Sequence, residues 1–198
     1  MARLSVVLSG LIVLAGAVAA STASARSING ATLVVGRGAN GARLDMTRQQ
    51  VVARLGTPVW HSGKSVLSYL RPSDGIFDVY RYADTGRVRM FIFSPGPPSH
   101  RRAWRLRDGN RIFTKGGIDR LYRHYGRRVH RWMNPETGDR NYVICSRYHH
   151  RPVRTEFLVG RFSRDRLVAD VTILFIDRAA DGSPLTDSRC LQQTPPRP

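Results

Sequence analysis

The residues of this chain that could take part in chemistry are mainly arginines, and many of them lie between residues 100 and 131. Arginine presents a planar set of N–H donors that fits phosphate and carboxylate oxygens, and aromatic neighbours add stacking on bases or sugars. The sequence therefore defines a candidate patch for an anionic partner, made of Arg120, Arg123, Arg127, Arg128, Arg131, Trp104 and Trp132. The same arginines would also suit an ordinary solvated helix face, so both interpretations stay open.

Groupings that would support catalysis or metal binding are weak. A nucleophile needs a histidine and an orienting acid, and the chain has no Gly-x-Ser-x-Gly motif. Hydrolysis by paired carboxylates needs two positioned acids, yet only 14 acidic residues are present. His149 and His150 are adjacent and would point apart on an extended chain. We therefore expect no catalytic residue, no metal site and no cofactor.

The N-terminal segment is typical of a secretory signal peptide, residues 1–25. Its stretch 4–20 is almost wholly apolar or small, and a small-residue cleavage site follows. In an oxidising compartment the two cysteines, Cys145 and Cys190, are most simply paired in a disulfide, with two free thiols as the alternative. We expect a secreted or extracytoplasmic protein of the cell envelope, with no transmembrane span after signal removal.

The net charge points to the kind of partner. Lysine and arginine number 32 against 14 acidic residues, which gives a formal charge of +18. Such a balance favours nucleic acid, anionic lipid, acidic wall polymers or acidic proteins. A compositional preference of the genome would explain arginine in place of lysine, but it does not explain the basic excess.

The elements that must position these residues follow one order twice. The first copy opens with an apolar segment at 31–35 and a glycine-rich turn. Thr47 then begins a helix, with Gln50 at the capping-box spacing, and Gly56 is placed to end it. Strands are predicted after this helix at 65–70, 76–82 and 87–93.

The second copy follows a Pro- and Gly-rich break at 94–99. Apolar residues at helical spacing predict a helix that ends at Gly126, and these are Ile118, Leu121, Tyr122 and Tyr125. Strands are again predicted after it, at 141–146, 153–160 and 166–175.

This repetition predicts an α+β fold of two tandem helix-plus-antiparallel-β-meander units, with the helices packed on one face of the sheet. The units would form two small sheets side by side or one continuous sheet, and the other face would be free for a partner. The predicted divisions are a signal peptide (1–25), a first repeat (26–93), a Pro/Gly and basic linker (94–111), a second repeat (112–177) and a C-terminal tail (178–198).

The segment 43–58 resembles the opening of the BamE/SmpA–OmlA family, whose helix carries Gly-Met-Thr-x-x-x-Val-x-x-x-Leu-Gly-x-Pro. The matching residues, with structural roles, are Met46, Thr47, Val51, Leu55, Gly56 and Pro58. The tandem arrangement is similar to the β-lactamase inhibitor protein superfamily. The chain differs in carrying Asp45 in place of the family's glycine, in lacking a lipid-anchor cysteine and in its strong basic charge.

The resemblance implies a non-enzymatic module, secreted or in the bacterial envelope, that binds other proteins through its open sheet face and loops. We therefore expect a binding module for a protein partner. The alternative is a basic surface protein that binds an anionic polymer, either nucleic acid or wall polymer, or the cell surface. An enzyme of unrecognised type is the third hypothesis.

Overall fold

A computed structural model describes residues 30–97, 99, 101–160, 167–178 and 190. The predicted signal peptide 1–25 lies outside the described residues, and so does most of the predicted tail 178–198.

Strands dominate the described chain. In chain order they are β1 (Thr32–Val34), β2 (Gly38–Ala39), β3 (Ala42–Arg43), β4 (Trp60–Ser62), β5 (Val66–Ser68), β6 (Gly75–Arg81), β7 (Val88–Pro95), β8 (Arg105–Leu106), β9 (Val129–Met133), β10 (Arg140–Tyr148), β11 (Arg151–Val159) and β12 (Asp170–Phe175). The α-helices are α1 (Arg48–Leu55) and α2 (Gly117–Tyr125), and short 3₁₀ turns lie at Pro72–Asp74, Arg101–Ala103 and Gly126–Arg128.

The strands form two sheets. An eight-stranded sheet has the order β4-β5-β6-β7-β12-β11-β10-β9, with every neighbouring pair antiparallel. A four-stranded sheet has the order β3-β2-β1-β8, in which β1 and β8 run parallel. The large sheet spans both halves of the chain, because β7 pairs with β12.

One face of the large sheet is the main hydrophobic face. Period-two alternation puts Phe77 and Val79 of β6 on this face, fully buried, while Asp78 points to the other face. Phe91 and Ile173 continue the same face across the seam between β7 and β12. Each fully buried side chain of this size contributes about 1.5–3 kcal/mol of hydrophobic stabilisation.

The small sheet and both helices supply the opposing layer of the core. Leu33, Val51 and Leu121, from β1, α1 and α2, are each buried in the same cluster as the large sheet. The turn after β1 lies over the sheet, where the Gly36 N–H donates to Thr155 Oγ1 at 2.9 Å. Gly36 has a φ of 73° there. A side chain at this position would also meet Ser146 Oγ, so the close approach requires glycine.

Arg151 joins the two halves of the chain at one end of the seam. Its Nε donates to Asp177 Oδ2 at 2.6 Å, and its Nη2 donates to the Tyr82 hydroxyl at 3.0 Å. Its guanidinium carbon lies 3.6 Å from the centre of the Phe175 ring, a cation–π distance. Arg151 also pairs with Asp45, so one side chain ties segments before α1 and after β12 together.

The predicted α+β fold with two helix-plus-meander units is wrong. The described chain is mostly β, with one eight-stranded sheet, one four-stranded sheet and α1 and α2 as its α-helices. The pairing of β7 with β12 fuses the strands of both predicted units into one sheet. The small sheet adds a layer that the prediction lacked, and β8, which belongs to it, lies inside the predicted linker 94–111.

The two cysteines lie together. Cys145 and Cys190 are at disulfide-bonding distance with their Cα atoms 5.9 Å apart, in agreement with the predicted pairing. Among the described residues, none of the helices has the length and hydropathy needed to cross a membrane.

Candidate functional site

The predicted basic patch lies partly on α2, whose pattern dictates which side chains reach solvent. Ile118 and Leu121 are buried, so Arg123 is turned outward and is exposed. The 3₁₀ turn that follows α2 carries Arg127 and Arg128, which are exposed as well. These three arginines form the part of the predicted patch that the structure brings together at the surface.

Two members of the predicted patch have structural roles instead. Trp104 is 1% exposed and packs edge-on against Phe77, Phe93 and Phe113, so it cannot stack on a surface ligand. Arg120 is half-buried, and its Nη2 donates to the carbonyl oxygen of Lys115 at 2.8 Å. It donates in the same way to the carbonyl of Arg111 and to the Thr114 hydroxyl. Arg120 therefore holds the loop before α2 in place.

The remaining predicted pair, Arg131 and Trp132, is divided between the two faces of the sheet. They are consecutive residues of the edge strand β9, and consecutive side chains of a strand point to opposite sides. Arg131 pairs with Tyr142 and shares its face, whereas Trp132 pairs with Asn141 on the opposite face. The two side chains cannot act on the same part of a ligand.

A basic cleft that the sequence analysis missed lies on the small sheet. It has a volume of about 250 Å³ and is lined by Arg37, Arg43 and Arg107, which are all exposed. Asn40 shapes it from a left-handed backbone conformation with a φ of 49°. The Asn40 side chain accepts a hydrogen bond from Thr32 N–H at 2.8 Å and donates to the Gly30 carbonyl. It therefore fixes both β1 and the chain that leads into β1.

The local sequence could have indicated this cleft. Arg105 and Arg107 alternate with Leu106, which is 1% exposed, and this is the pattern of a strand with one buried face. The Gly36–Gly41 segment, interpreted as a simple turn, forms the β1–β2–β3 turns that carry Arg37 to the same side.

The segment that borders the small-sheet cleft contacts α2. Asp108 follows Arg107 directly, and its Oδ2 lies 3.1 Å from His124 Nε2 on α2. We group the exposed arginines of the two segments joined by this contact as the basic surface, and they are Arg37, Arg43, Arg105, Arg107, Arg123, Arg127 and Arg128. Within the described part of the chain, none of these seven side chains forms a hydrogen bond or ion pair.

The open face of the large sheet has a different character. A cross-strand row runs along it through Trp60, Ser68, Asp78, Ile92, Thr172, Glu156, Val143 and His130. Burial raises the pKa of Asp78, and a hydrogen bond with Ser68 acts in the opposite direction. Trp60 is 58% exposed at one end of the row and Ile76 is 42% exposed nearby, so this end offers apolar surface.

The opposite end of the open face is less accessible. Val143 is 3% exposed although it lies on this face and outside the main core cluster. Cys145 is on the same face of β10 and bonds to Cys190. The open face is therefore not uniformly free for a partner.

The histidines do not converge on a metal centre in the part of the chain that the structure covers, where no group of three potential ligands is found. His149 and His150 form the tight turn between β10 and β11, with φ values of 50° and 64°. Positive φ at both positions is the backbone geometry that a two-residue hairpin turn of type I′ requires.

Four residues of the family signature, Thr47, Val51, Leu55 and Gly56, lie in α1 or at its ends. Thr47 caps α1 and forms the capping box with Gln50, while Val51 and Leu55 lie on the buried face of the helix. Gly56 ends the helix with a φ of 86°.

Comparison with protein-family models, with curated proteins and with solved structures gives no match. The resemblance to the BamE/SmpA–OmlA family thus stays a prediction, and function has to be argued from the surface.

Proposed function

We propose that this chain is a non-enzymatic binding module outside the cytoplasm whose basic surface binds an extended anionic polymer. The observation that supports the proposal is the exposure of four arginines on the small-sheet side and three on the α2 side of the Asp108–His124 contact, with none of the seven in an ion pair among the described residues. Surface arginines that serve only solubility are commonly interspersed with acids. Here the acid at the junction, Asp108, is already engaged by His124.

The chemistry of arginine fits a polymer with repeating phosphate, sulfate or carboxylate groups. Each guanidinium offers parallel N–H donors for two oxygens of such a group. Arg107 on the β8 side and Arg123 on α2 lie on different elements, so a polymer crossing the junction at Asp108 would touch both. The Cys145–Cys190 disulfide supports an oxidising compartment, where cell-surface polymers are available.

The test compares two pairs of charge reversals that change the net charge equally. Arg107→Glu with Arg123→Glu alters the basic surface, whereas Arg71→Glu with Arg147→Glu alters exposed arginines elsewhere. Affinity for fluorescent DNA and for heparin is measured by anisotropy over a salt series. We expect wild-type affinity to fall steeply with salt, and the first pair to reduce the salt slope by roughly one for each arginine–phosphate pair that it removes. Its affinity should fall at least about tenfold.

The control decides between a defined surface and overall charge. If the Arg71/Arg147 pair weakens binding as much as the Arg107/Arg123 pair, the proposed basic surface is wrong.

Protein binding through the open face is the second proposal, favoured by the exposed Trp60 and Ile76. It would gain support if Trp60→Ser with Ile76→Ser abolished capture of one defined envelope protein that the Arg107/Arg123 variant still captured.

A further inference from the structure

A second cleft lies at one end of the large sheet, apart from the basic surface. It has a volume of about 450 Å³ and is bounded by the β4–β5 turn, the β6–β7 turn and the first residue of α1. The cations that line it are Arg48, Lys64 and Arg81, and His61 of β4 also faces it. Arg48, His61 and Lys64 are exposed, whereas Arg81 is 8% exposed.

Arg81 is the unusual member of this set. Its Nη2 donates to the Lys64 carbonyl oxygen, but its Nε is buried and has no hydrogen-bond partner among the described residues. Burial lowers the pKa of Arg81, and the neighbouring Arg48 cation lowers it further. A buried guanidinium normally lies beside a carboxylate, because an uncompensated buried charge is costly. Arg81 has no ion pair in the described chain.

A buried hydroxyl interacts with two of these cations but is not part of the cleft lining. Tyr69 is 4% exposed and its hydroxyl has no partner among the described residues. Burial raises the pKa of Tyr69 to about 12, while Arg48 and Arg81 act to lower it. At neutral pH this hydroxyl keeps its proton and therefore adds no negative charge that would balance Arg48 or Arg81.

The carboxylate of Asp84, at the rim of the cleft, does not neutralise these charges. Asp84 Oδ2 lies 3.2 Å from Arg178 Nη1, and Asp84 Oδ1 accepts a hydrogen bond from Thr85 N–H at 2.7 Å. Both oxygens of Asp84 are therefore engaged at the rim. The lining carries three cations, Arg48, Lys64 and Arg81, against the single carboxylate of Asp84, so positive charge is in excess.

We propose that this cleft binds a tetrahedral oxyanion, a phosphate or sulfate group, with Arg81 and Arg48 as its principal donors. Lys64 adds charge at the edge of the same cleft. The cleft volume falls in the range of small-ligand sites, so the anion can be one group of a larger ligand. The site is independent of the basic surface, since the two share no residue.

The experiment is calorimetric titration of the purified protein with inorganic phosphate, with sulfate and with acetate, at constant ionic strength. We expect saturable binding of phosphate or sulfate and a rise in Tm that grows with anion concentration, with acetate much weaker. Arg48→Gln and Lys64→Gln change exposed side chains and should each weaken binding about tenfold. Arg81→Gln should abolish it. If Arg81→Gln does not fold, the two exposed variants carry the test.

Two controls separate this site from surface charge in general. Arg71→Gln removes an exposed arginine that does not line the cleft, and it should leave phosphate affinity unchanged. Arg107→Glu with Arg123→Glu should also leave it unchanged, so a failure of polymer binding and a failure of this site are distinguishable. The proposal is overturned if no saturable binding is seen, if acetate binds as tightly as phosphate, or if Arg71→Gln matches the effect of Arg48→Gln.

Discussion

Arg81 and Tyr69 are among the residues at which burial and polarity conflict. Each is at least nine-tenths buried, and each has a polar atom without a partner among the described residues. An unsatisfied buried donor costs about 1–3 kcal/mol, and native structures contain few of them. Arg81 lines the second cleft, and an anion bound there would offset the cost of its buried charge, which is the role proposed for it above.

The hydroxyl of Tyr69 gives a prediction about pH. The pKa of Tyr69 is raised by burial from 10.0 to about 12, so the unfolded chain releases this proton first as the pH rises. The contribution of Tyr69 to the free energy of unfolding is therefore present below pH 10 and falls as the pH rises towards about 12. Tyr69→Phe removes this dependence, and near neutral pH it should stabilise the protein by up to about 1 kcal/mol.

Urea denaturation at a series of pH values measures both effects. Tyr148→Phe is the matched control, because it removes a hydroxyl from a half-buried tyrosine that is not among the unpartnered buried groups. Parallel pH profiles for wild type and Tyr69→Phe would contradict the assignment.

The sequence shows which residues could bind an anion, but it indicates only in part which of them are buried. The concentration of arginine was evident, and Arg123, Arg127 and Arg128 are exposed as expected. Trp104 and Arg120 have structural contacts that the sequence did not indicate: Trp104 lies in a segment that has the composition of a linker, and Arg120 lies on α2. Their burial depends on distant partners, namely the aromatic core and the loop before α2, that local spacing does not show.

At the scale of elements, the loop that leads into α2 is closely packed backbone. The Gly117 N–H donates to the Thr114 carbonyl oxygen at 2.9 Å, and Arg120 binds the Thr114 hydroxyl. A Cβ added to Gly117 would overlap the carbonyl oxygen of Ile112. Because that oxygen belongs to the backbone of a buried residue, it cannot move aside without disturbing the core.

Gly117→Ala should therefore destabilise the protein, although alanine is the better helix former by about 1 kcal/mol. We expect the overlap to cost about 2–4 kcal/mol in the free energy of unfolding, measured with urea. Gly160→Ala is the control, since the nearest side-chain atom to its added Cβ is 4.0 Å away. It should change stability by less than about 1 kcal/mol. If Gly117→Ala left the free energy of unfolding unchanged or raised it, the loop would be able to move aside at little cost and the prediction would be wrong.

Elements with local signals were predicted, and elements defined only by their neighbours were not. The ends of α1 and α2 follow from Thr47, Gly56 and Gly126, which act within one helical turn. The strands β4 and β9 were missed because they are short edge strands with mostly exposed side chains, so they carry no apolar alternation. Pairing with β5 and β10 makes them strands.

At the scale of the whole molecule, the seam between β7 and β12 decides the architecture. Phe91 pairs with Ile173 and Phe93 with Val171, and all four side chains are fully buried. Residues so far apart in sequence have no local pattern that encodes their register, so the sequence could not distinguish two sheets from one. The disulfide adds a long-range constraint of 45 residues, which contributes about 4 kcal/mol in the chain-entropy description.

A single sheet with one hydrophobic core should unfold as one cooperative unit, whereas two tandem units would unfold separately. In a Trp60→Phe, Trp132→Phe background, fluorescence reports on Trp104 alone, and far-UV circular dichroism reports on all strands. We expect the two urea transitions to coincide. Ile173→Ala at the seam should lower the free energy of unfolding by about 2–5 kcal/mol. Both urea midpoints should therefore fall together. Separate transitions, or a shift of only one probe, would mean that the halves flanking the seam fold independently.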